Sequence, residues 1–284
     1  MKDSQFNLWQ CPLCQSTLLH ESSRWVCANH HSFDIAKEGY VNLLPAQHKK
    51  SKDPGDSKAM VMARQHFLNA QHYQPLATRI AEHIQTYHSD GMSTLFDIGC
   101  GEGYYLRHIT QQLSDANIEN QGWGIDISKP AIQKAAKQSP HLHFAVASTF
   151  HVPIASHSIS AAFQVFAPSS AKEVHRILVN EGIWITVEPN QKHLFELKAL
   201  IYDTPELHTV KVEEHSGFQL ETNEQLSFKI HLTTPEIREQ LLMMTPFYWT
   251  ISPEKLAKVK QSLTHVTADF VVKTYRKLAN CYVL

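Results

Sequence analysis

The chain has 284 residues, 43% of them hydrophobic and 19% charged, with a formal net charge of −1. Such a composition fits one large or two modest globular domains with ample core, and it excludes a disordered chain and a globally basic nucleic-acid binder. The N-terminus has no positively charged segment followed by an apolar run, and no stretch reaches the roughly 18 apolar residues of a membrane span. Neither a signal peptide nor a membrane association is therefore expected, and the protein is expected to be cytoplasmic.

Three of the five cysteines fall in the first 27 residues, and Cys11, Cys14, Cys27 and His31 form C-x2-C-x12-C-x3-H. Each close pair fits a tight turn, and the two turns together can surround a tetrahedral ion, so a structural zinc (Zn2+) site is expected. A closed Cys3His site leaves no position for a reactive water, which gives the metal a folding role. His30 is an alternative fourth ligand, one residue nearer Cys27. Residues 1–45 are expected to be the zinc-binding domain, with Phe33 to Leu44 a strand or turn packed on it.

Residues 46–90 read as a basic linker and helices. Lys49, Lys50, Lys52, Lys58 and Arg64 stand there against Asp53 and Asp56. This concentration of charge has two readings, a solvated linker or a contact with RNA phosphates. Asp53-Pro54-Gly55-Asp56-Ser57 is a turn expected to cap a helix from Lys58 to Asn69, and a second helix is expected over Tyr73 to Tyr87.

Residues 91–284 carry the central motif. The apolar run Leu95-Phe96 leads into Asp97-Ile98-Gly99-Cys100-Gly101-Glu102-Gly103-Tyr104, and a helix-like stretch runs from Tyr104 to Leu113. A strand, a glycine turn and a helix N-terminus bring backbone N–H groups close to a nucleotide-like ligand. Tyr104 stands where the dinucleotide pattern G-x-G-x-x-G has its last glycine, so the pyrophosphate fingerprint is not met. The next strand, Gly122 to Ile127, places Asp126 at its carboxyl end, where a carboxylate can accept ribose hydroxyls. Ser128 is expected to cap a helix containing Pro130 and running to Lys137.

Further strands are expected at His143–Val146, Ser160–Phe166 and Gly182–Val187, with a helix at Glu173–Val179. Later helices are expected at Glu236–Met244 and Pro253–Ser262, and a late strand at Ala268–Lys273. The alternation predicts an α/β doubly wound sheet, with Asp97, Asp126, Ala147-Ser148 and Phe166-Ala167-Pro168-Ser169 at one mouth.

The Asp97 loop resembles the first motif of class I (Rossmann-like) S-adenosylmethionine-dependent methyltransferases. The zinc pattern, the phrase Ala36-Lys37-Glu38-Gly39-Tyr40-Val41-Asn42-Leu43-Leu44-Pro45, the Asp53–Ser57 turn and His72-Tyr73-Gln74-Pro75-Leu76 extend the resemblance over nearly the whole chain to the bacterial 23S rRNA (guanine-N1)-methyltransferase RlmA family. That resemblance implies S-adenosyl-L-methionine held by Tyr73, Asp97, Gly99, Gly101, Glu102, Gly103, Tyr104, Asp126 and His193. Ala147-Ser148 departs from it, standing where many relatives carry an acid for the adenine amino group, so backbone groups and the Ser148 hydroxyl are expected to serve there. The resemblance also implies methylation of N1 of a guanine in a hairpin of large-subunit ribosomal RNA, by a homodimer with an RNA cleft.

The residues narrow the chemistry further. Ala167-Pro168-Ser169-Ser170 lacks the Asn/Asp-Pro-Pro-Tyr pattern of exocyclic-amine methyltransferases, and no Pro-Cys pair offers the nucleophile that carbon-5 methylation needs. A ring nitrogen remains, and its proton needs an acceptor, for which Glu188 and His193 are the candidates. The alternatives to rRNA methylation are a small-molecule methyltransferase and a non-catalytic zinc-containing RNA-binding protein.

Overall fold

The computed structural model describes residues 7–48, 54–88, 91–210 and 214–279. Lys49, Lys50, Lys52 and Asp53 lie outside the described residues. The N-terminal segment builds a three-stranded antiparallel sheet from β1 (Leu18–Glu21), β2 (Arg24–Cys27) and β3 (Ser32–Asp34), in that order. The β1/β2 hairpin pairs Leu18 with Cys27 and Glu21 with Arg24, leaving Ser22-Ser23 as a two-residue turn.

The segment expected to pack on the metal fold divides: Phe33 and Asp34 stay in β3 of the ribbon sheet, and the later part goes elsewhere. β4 (Val41–Asn42) lies parallel to β7 (His143–Val146) at the edge of the large sheet, and the Leu43 N–H donates to the Val146 carbonyl at 2.9 Å. Val41 and Leu43 are buried among Phe96, Trp123 and Ala145. A sheet edge offers them an unpaired ladder and an apolar face that a small zinc fold lacks. Trp9 is buried in the same core and bridges to Ile154, so the zinc module and the large sheet share one body of apolar contacts.

Two helices, α1 (Lys58–Asn69) and α2 (Gln74–Thr86), precede the sheet core. Then come β5 (Ser93–Ile98), α3 (Tyr104–Asp115), β6 (Asn120–Asp126), α4 (Lys129–Gln138), β7, β8 (Ile159–Val165), α5 (Ala171–Ile177) and β9 (Leu178–Pro189). The chain ends with α6 (Phe195–Ile201), β10 (Phe218–His231), α7 (Pro235–Met243), α8 (Pro253–Ser262) and β11 (His265–Lys277). The eight-stranded sheet runs β10-β11-β9-β8-β5-β6-β7-β4. Strands β4 to β9 pair in parallel, while β11 is antiparallel to both of its neighbours. The chain leaves β5 in one direction through β6 and β7, then returns through β8 on the other side. This reversal opens a crevice at the carboxyl ends of β5 and β8.

Because Trp9 fills a site between ribbon and sheet, Trp9→Ala is expected to lower global stability by about 3–5 kcal/mol, measured by chemical denaturation. Loss confined to the ribbon, with the sheet unfolding at its original midpoint, is the contrary result.

Candidate active site and metal centre

A cavity of about 940 Å³ opens at this switch point. Gly99 has φ +76°, and a Cβ there would lie 2.5 Å from the Ala167 Cβ, so only glycine lets the β5 and β8 loops approach this closely. Gly101 has φ +55° and turns its N–H onto Asp126 Oδ2 at 3.0 Å. The second Asp126 oxygen accepts the Ser128 N–H at 2.7 Å, and Ser128 caps α4 as expected.

Asp97, Glu102 and Asp126 line the cavity together. Burial pushes the Asp97 carboxyl well above the usual carboxylate range, and nearby Asp126 and Glu102 add to the rise. Burial raises Glu102 and Asp126 as well. Asp97 Oδ2 and Glu102 Oε1 are buried without a hydrogen-bond partner among the described residues. Unpartnered acceptors in an apolar-walled cavity fit a ligand that brings donors and positive charge.

The Pro54–Ser57 turn closes one side. Ser128 Oγ donates to the Asp56 carbonyl at 2.8 Å, a Cβ on Gly55 would meet the Ser128 Cβ at 2.9 Å, and Asp56 forms an ion pair with Arg64. Arg64, counted in sequence with the RNA-facing cations, instead lines the cavity. Lys58 stays exposed.

The opposite wall comes from the ends of β8 and β9. Phe166 has φ +57°, a left-handed backbone that costs a bulky residue of order 1–3 kcal/mol, yet the residue is 46% exposed. The Gln164 side-chain amide holds the turn by donating to the Ala167 carbonyl at 2.9 Å. Glu188, near the end of β9, pairs through Oε2 with Lys273 Nζ at 3.3 Å. His193 is buried, and its Nδ1 accepts the Asp269 N–H at 3.3 Å. The Asp269 carboxylate in turn accepts from the Lys192 N–H at 3.0 Å, Asn190 Nδ2 at 3.2 Å and Gln225 Nε2 at 2.6 Å, pinning the 190–194 loop to β11. Burial, followed by the nearby His208, drives the His193 pKa down to about 3.

Tyr73, Asp97, Gly99, Gly101, Glu102, Asp126, Ser148, Glu188 and His193 all line this one cavity. Two expected residues do not. Tyr104 is fully buried with its ring against His108 and Tyr105, because it faces inward from the first turn of α3, and Tyr105 takes the place on the cavity wall. Gly103 caps α3 in a tight packing position, where a Cβ would stand 3.1 Å from both Ala135 and Phe144. Asp269, Arg64 and the segment Leu241–Phe247 were not anticipated from the sequence. Asp56 and Arg64 stood eight residues apart as a visible acid and base pair. The Leu241–Phe247 wall had no local signal, since tertiary packing alone brings it over the mouth.

In the ribbon, Cys11, Cys14, Cys27 and His31 offer ligand atoms that all lie within 4.8 Å of one another. His31 Nδ1 is 3.4 Å from the sulfurs of both Cys11 and Cys27, and the Cys14 and Cys27 sulfurs are 3.7 Å apart. A tetrahedron with Zn–S bonds of about 2.3 Å has sulfur–sulfur edges of about 3.8 Å, so the set fits zinc. His30 occupies the turn with φ +62° and is exposed, which leaves the ligand position to His31.

Residues 9–52 match the family described as RlmA, N-terminal, a zinc ribbon, and residues 95–182 match the family described as methyltransferase domain. With the strand order, the glycine loop and the acid ending β6, these define a class I S-adenosylmethionine-dependent methyltransferase with an N-terminal zinc ribbon. The chain is 31% identical to the 23S rRNA (guanine(748)-N(1))-methyltransferase of Streptomyces fradiae over 270 residues, covering 91% of each chain. It is 29% identical to YxjB of Bacillus subtilis (strain 168), described as a candidate 23S rRNA (guanine-N(1)-)-methyltransferase, over 90% of this chain and 92% of that one. It belongs to the RlmA family of 23S rRNA (guanine-N1)-methyltransferases.

Two outcomes test the site. A carboxyl with a higher pKa folded than unfolded holds its proton more tightly when folded, so the cofactor-free protein should lose stability as pH climbs from the carboxylate range toward neutrality. Asp97→Asn is expected to flatten that fall and raise the thermal midpoint at pH 7 by about 2–4 °C, the response to roughly 1 kcal/mol in a domain of this size. Calorimetry should show cofactor binding weakened about tenfold or more in the same variant. An unchanged cofactor affinity contradicts the assignment of Asp97. Cys11→Ser should release one zinc per chain, read by metal analysis, and loosen the ribbon while the sheet still binds cofactor.

Proposed function

We propose that this chain transfers a methyl group from S-adenosyl-L-methionine to N1 of a guanine in a hairpin of 23S ribosomal RNA. The observation that carries this reading is that one cavity joins the glycine loop and its unpartnered carboxylates to a wall bearing an exposed aromatic ring and a second carboxylate. The cofactor supplies an electrophilic methyl on a sulfonium sulfur and leaves as a neutral thioether.

The chain's own groups divide the remaining work. Asp97 and Glu102 offer acceptors to the cofactor's positive end, Asp126 sits at the β6 end for the ribose, and Ser148 lies on the adenine side. Gly99 and Gly101 keep the cradle open. Tyr73 and His193 close the methionine side. An amide N–H already occupies His193 Nδ1, so the neutral ring carries its proton on Nε2 and acts there as a donor, suited to a carboxylate.

The absence of an Asn/Asp-Pro-Pro-Tyr sequence after β8 supports a ring nitrogen over an exocyclic amine, and Cys100 is buried in the cofactor loop, away from a nucleophile's position. The zinc ribbon and Lys49, Lys50 and Lys52 are assigned to RNA phosphates. A homodimer acting in the cytoplasm completes the reading, on the strength of the family likeness. No helix among the described residues is long and apolar enough to cross a membrane.

The test is methyl transfer in vitro to a large-subunit rRNA hairpin, with the modified base mapped by mass spectrometry. Methylation at guanine N1 is the expected result, and a methyl on an exocyclic amine, on carbon, or on a small molecule alone overturns it. Replacing Lys49, Lys50 and Lys52 with glutamine should flatten the log–log salt dependence of RNA binding by roughly two to three units and leave cofactor affinity unchanged. A full salt slope in that variant would make the segment a solvated linker.

A further inference from the structure

Guanine N1 carries a proton that must leave as the methyl arrives. Among the described residues, five carboxylates line the cavity: Asp56, Asp97, Glu102, Asp126 and Glu188. Asp56 is paired with Arg64, and both oxygens of Asp126 accept backbone N–H groups. Asp97 and Glu102 are buried in the cofactor loop. Glu188 alone of the five stands on the β9 side, beyond β8 from the cofactor loop. It is partly exposed, with the buried Lys273 side chain fixing one of its oxygens.

Phe166 stands at the end of the neighbouring strand β8, between these two regions. Its N–H donates to the Val187 carbonyl at 3.1 Å, which places it beside the residue preceding Glu188. Its ring centroid lies 5.7 Å from Phe270 and 5.4 Å from His193, yet nearly half of the residue remains open to the cavity. An aromatic residue held in a strained backbone and left exposed inside a site has the character of a ligand platform.

We propose that Glu188 accepts the N1 proton of the target guanine and that the Phe166 ring is the surface on which that base lies, an inference that rests on the reaction proposed above. The N1–H bond breaks with its electron pair left on N1, and the proton passes to a Glu188 oxygen. The pair on N1 forms the bond to the methyl carbon, the carbon–sulfur pair returns to sulfur, and Glu188 later releases its proton to water. A carboxylate facing the Watson–Crick edge also favours guanine over adenine, because guanine N1 presents a proton and adenine N1 a lone pair. To reach this wall the base must leave its stack, and an aromatic face offsets part of that cost.

His193 is a poor acceptor, since its Nδ1 lone pair is taken and burial keeps the ring neutral down to about pH 3. His208 is the other imidazole that lines the cavity among the described residues. It belongs to a loop between α6 and β10, while Glu188 is on a strand whose carboxylate is fixed by an ion pair. Lys273 on β11 pairs with Glu188, and His193 and His208 on the loops and Asp97 across the mouth line the same cavity.

The experiment is single-turnover methylation of the rRNA hairpin by the full chain, followed against pH, with cofactor and RNA affinities measured separately. Glu188→Gln should lose on the order of 10²- to 10⁴-fold in rate with both affinities retained. Its residual rate should climb about tenfold per pH unit toward alkaline pH, where guanine loses its N1 proton unaided. His208→Gln should stay within a fewfold of the unaltered protein. Phe166→Ala should weaken RNA binding on the order of tenfold and leave cofactor affinity alone.

Full activity in Glu188→Gln, or a large loss in His208→Gln without one in Glu188→Gln, overturns the assignment of the acceptor. Unaltered RNA affinity in Phe166→Ala overturns the platform. If the unaltered protein itself makes no N1-methylguanine, the proposed reaction fails, and that outcome is distinct from either of these.

Discussion

The Asp126 carboxylate ties four segments to one point. One oxygen accepts the Gly101 N–H and fixes the glycine loop after β5; the other accepts the Ser128 N–H and fixes the first turn of α4. Ser128 then passes the constraint outward, its hydroxyl donating to the Asp56 carbonyl, and Asp56 holds Arg64 on α1. A carboxylate satisfied by two backbone N–H groups is a strong anchor, because hydrogen bonds to a charged acceptor are roughly twice as strong as neutral ones. This wall of the cavity is thus assembled from α1, β5, β6 and α4 around a single side chain.

Such a site works against the stability of the fold. Asp97, Glu102 and Asp126 crowd like charges into a buried mouth, Asp97 and Glu102 keep unpartnered oxygens, and Phe166 adds backbone strain. Two apolar bodies offset these costs. One packs α1, α2 and α3 with the later helices against one face of the sheet, and the other joins Trp9, Val41 and Leu43 to Phe96, Trp123 and Trp184 on the opposite face. The ribbon therefore contributes to the second of the two cores. Trp9, two residues before the first cysteine of the metal cluster, bridges to Ile154 and ties the ribbon to the sheet.

Much of this was legible because local chemistry and tertiary structure agree. Ser57 caps α1 and Ser128 caps α4, with Pro130 in the first turn, and the parallel strands stand out as short apolar runs between helical periods. β10 escaped notice because Glu221-Thr222-Asn223-Glu224-Gln225 fills its middle; only Leu226, Phe228 and Ile230 alternate visibly, and pairing with β11 extends the strand to Phe218. α6 escaped because seven residues are too few for a clear period. In the site, glycine spacing and the strand-end acid pointed to residues that share one cavity, but spacing could not show which face of α3 Tyr104 takes. It also could not show that Arg64 turns inward to Asp56, since exposed and buried ion pairs look alike in sequence.

The structure also changes how the two halves of the molecule relate. The cations proposed to hold RNA phosphate fall between Leu44, which follows the β4 edge strand, and Gly55, which is packed on Ser128. Ten residues separate these two fixed points. A phosphate bound by that segment is therefore bound by chain whose two ends are already held at the sheet edge and at the cofactor mouth. Were those cations to hold RNA phosphate as proposed, such anchored ends would leave less of the cost of placing RNA to be met on association. That economy depends on the β4 contact with β7, the contact that carries the zinc ribbon's chain onto the catalytic sheet.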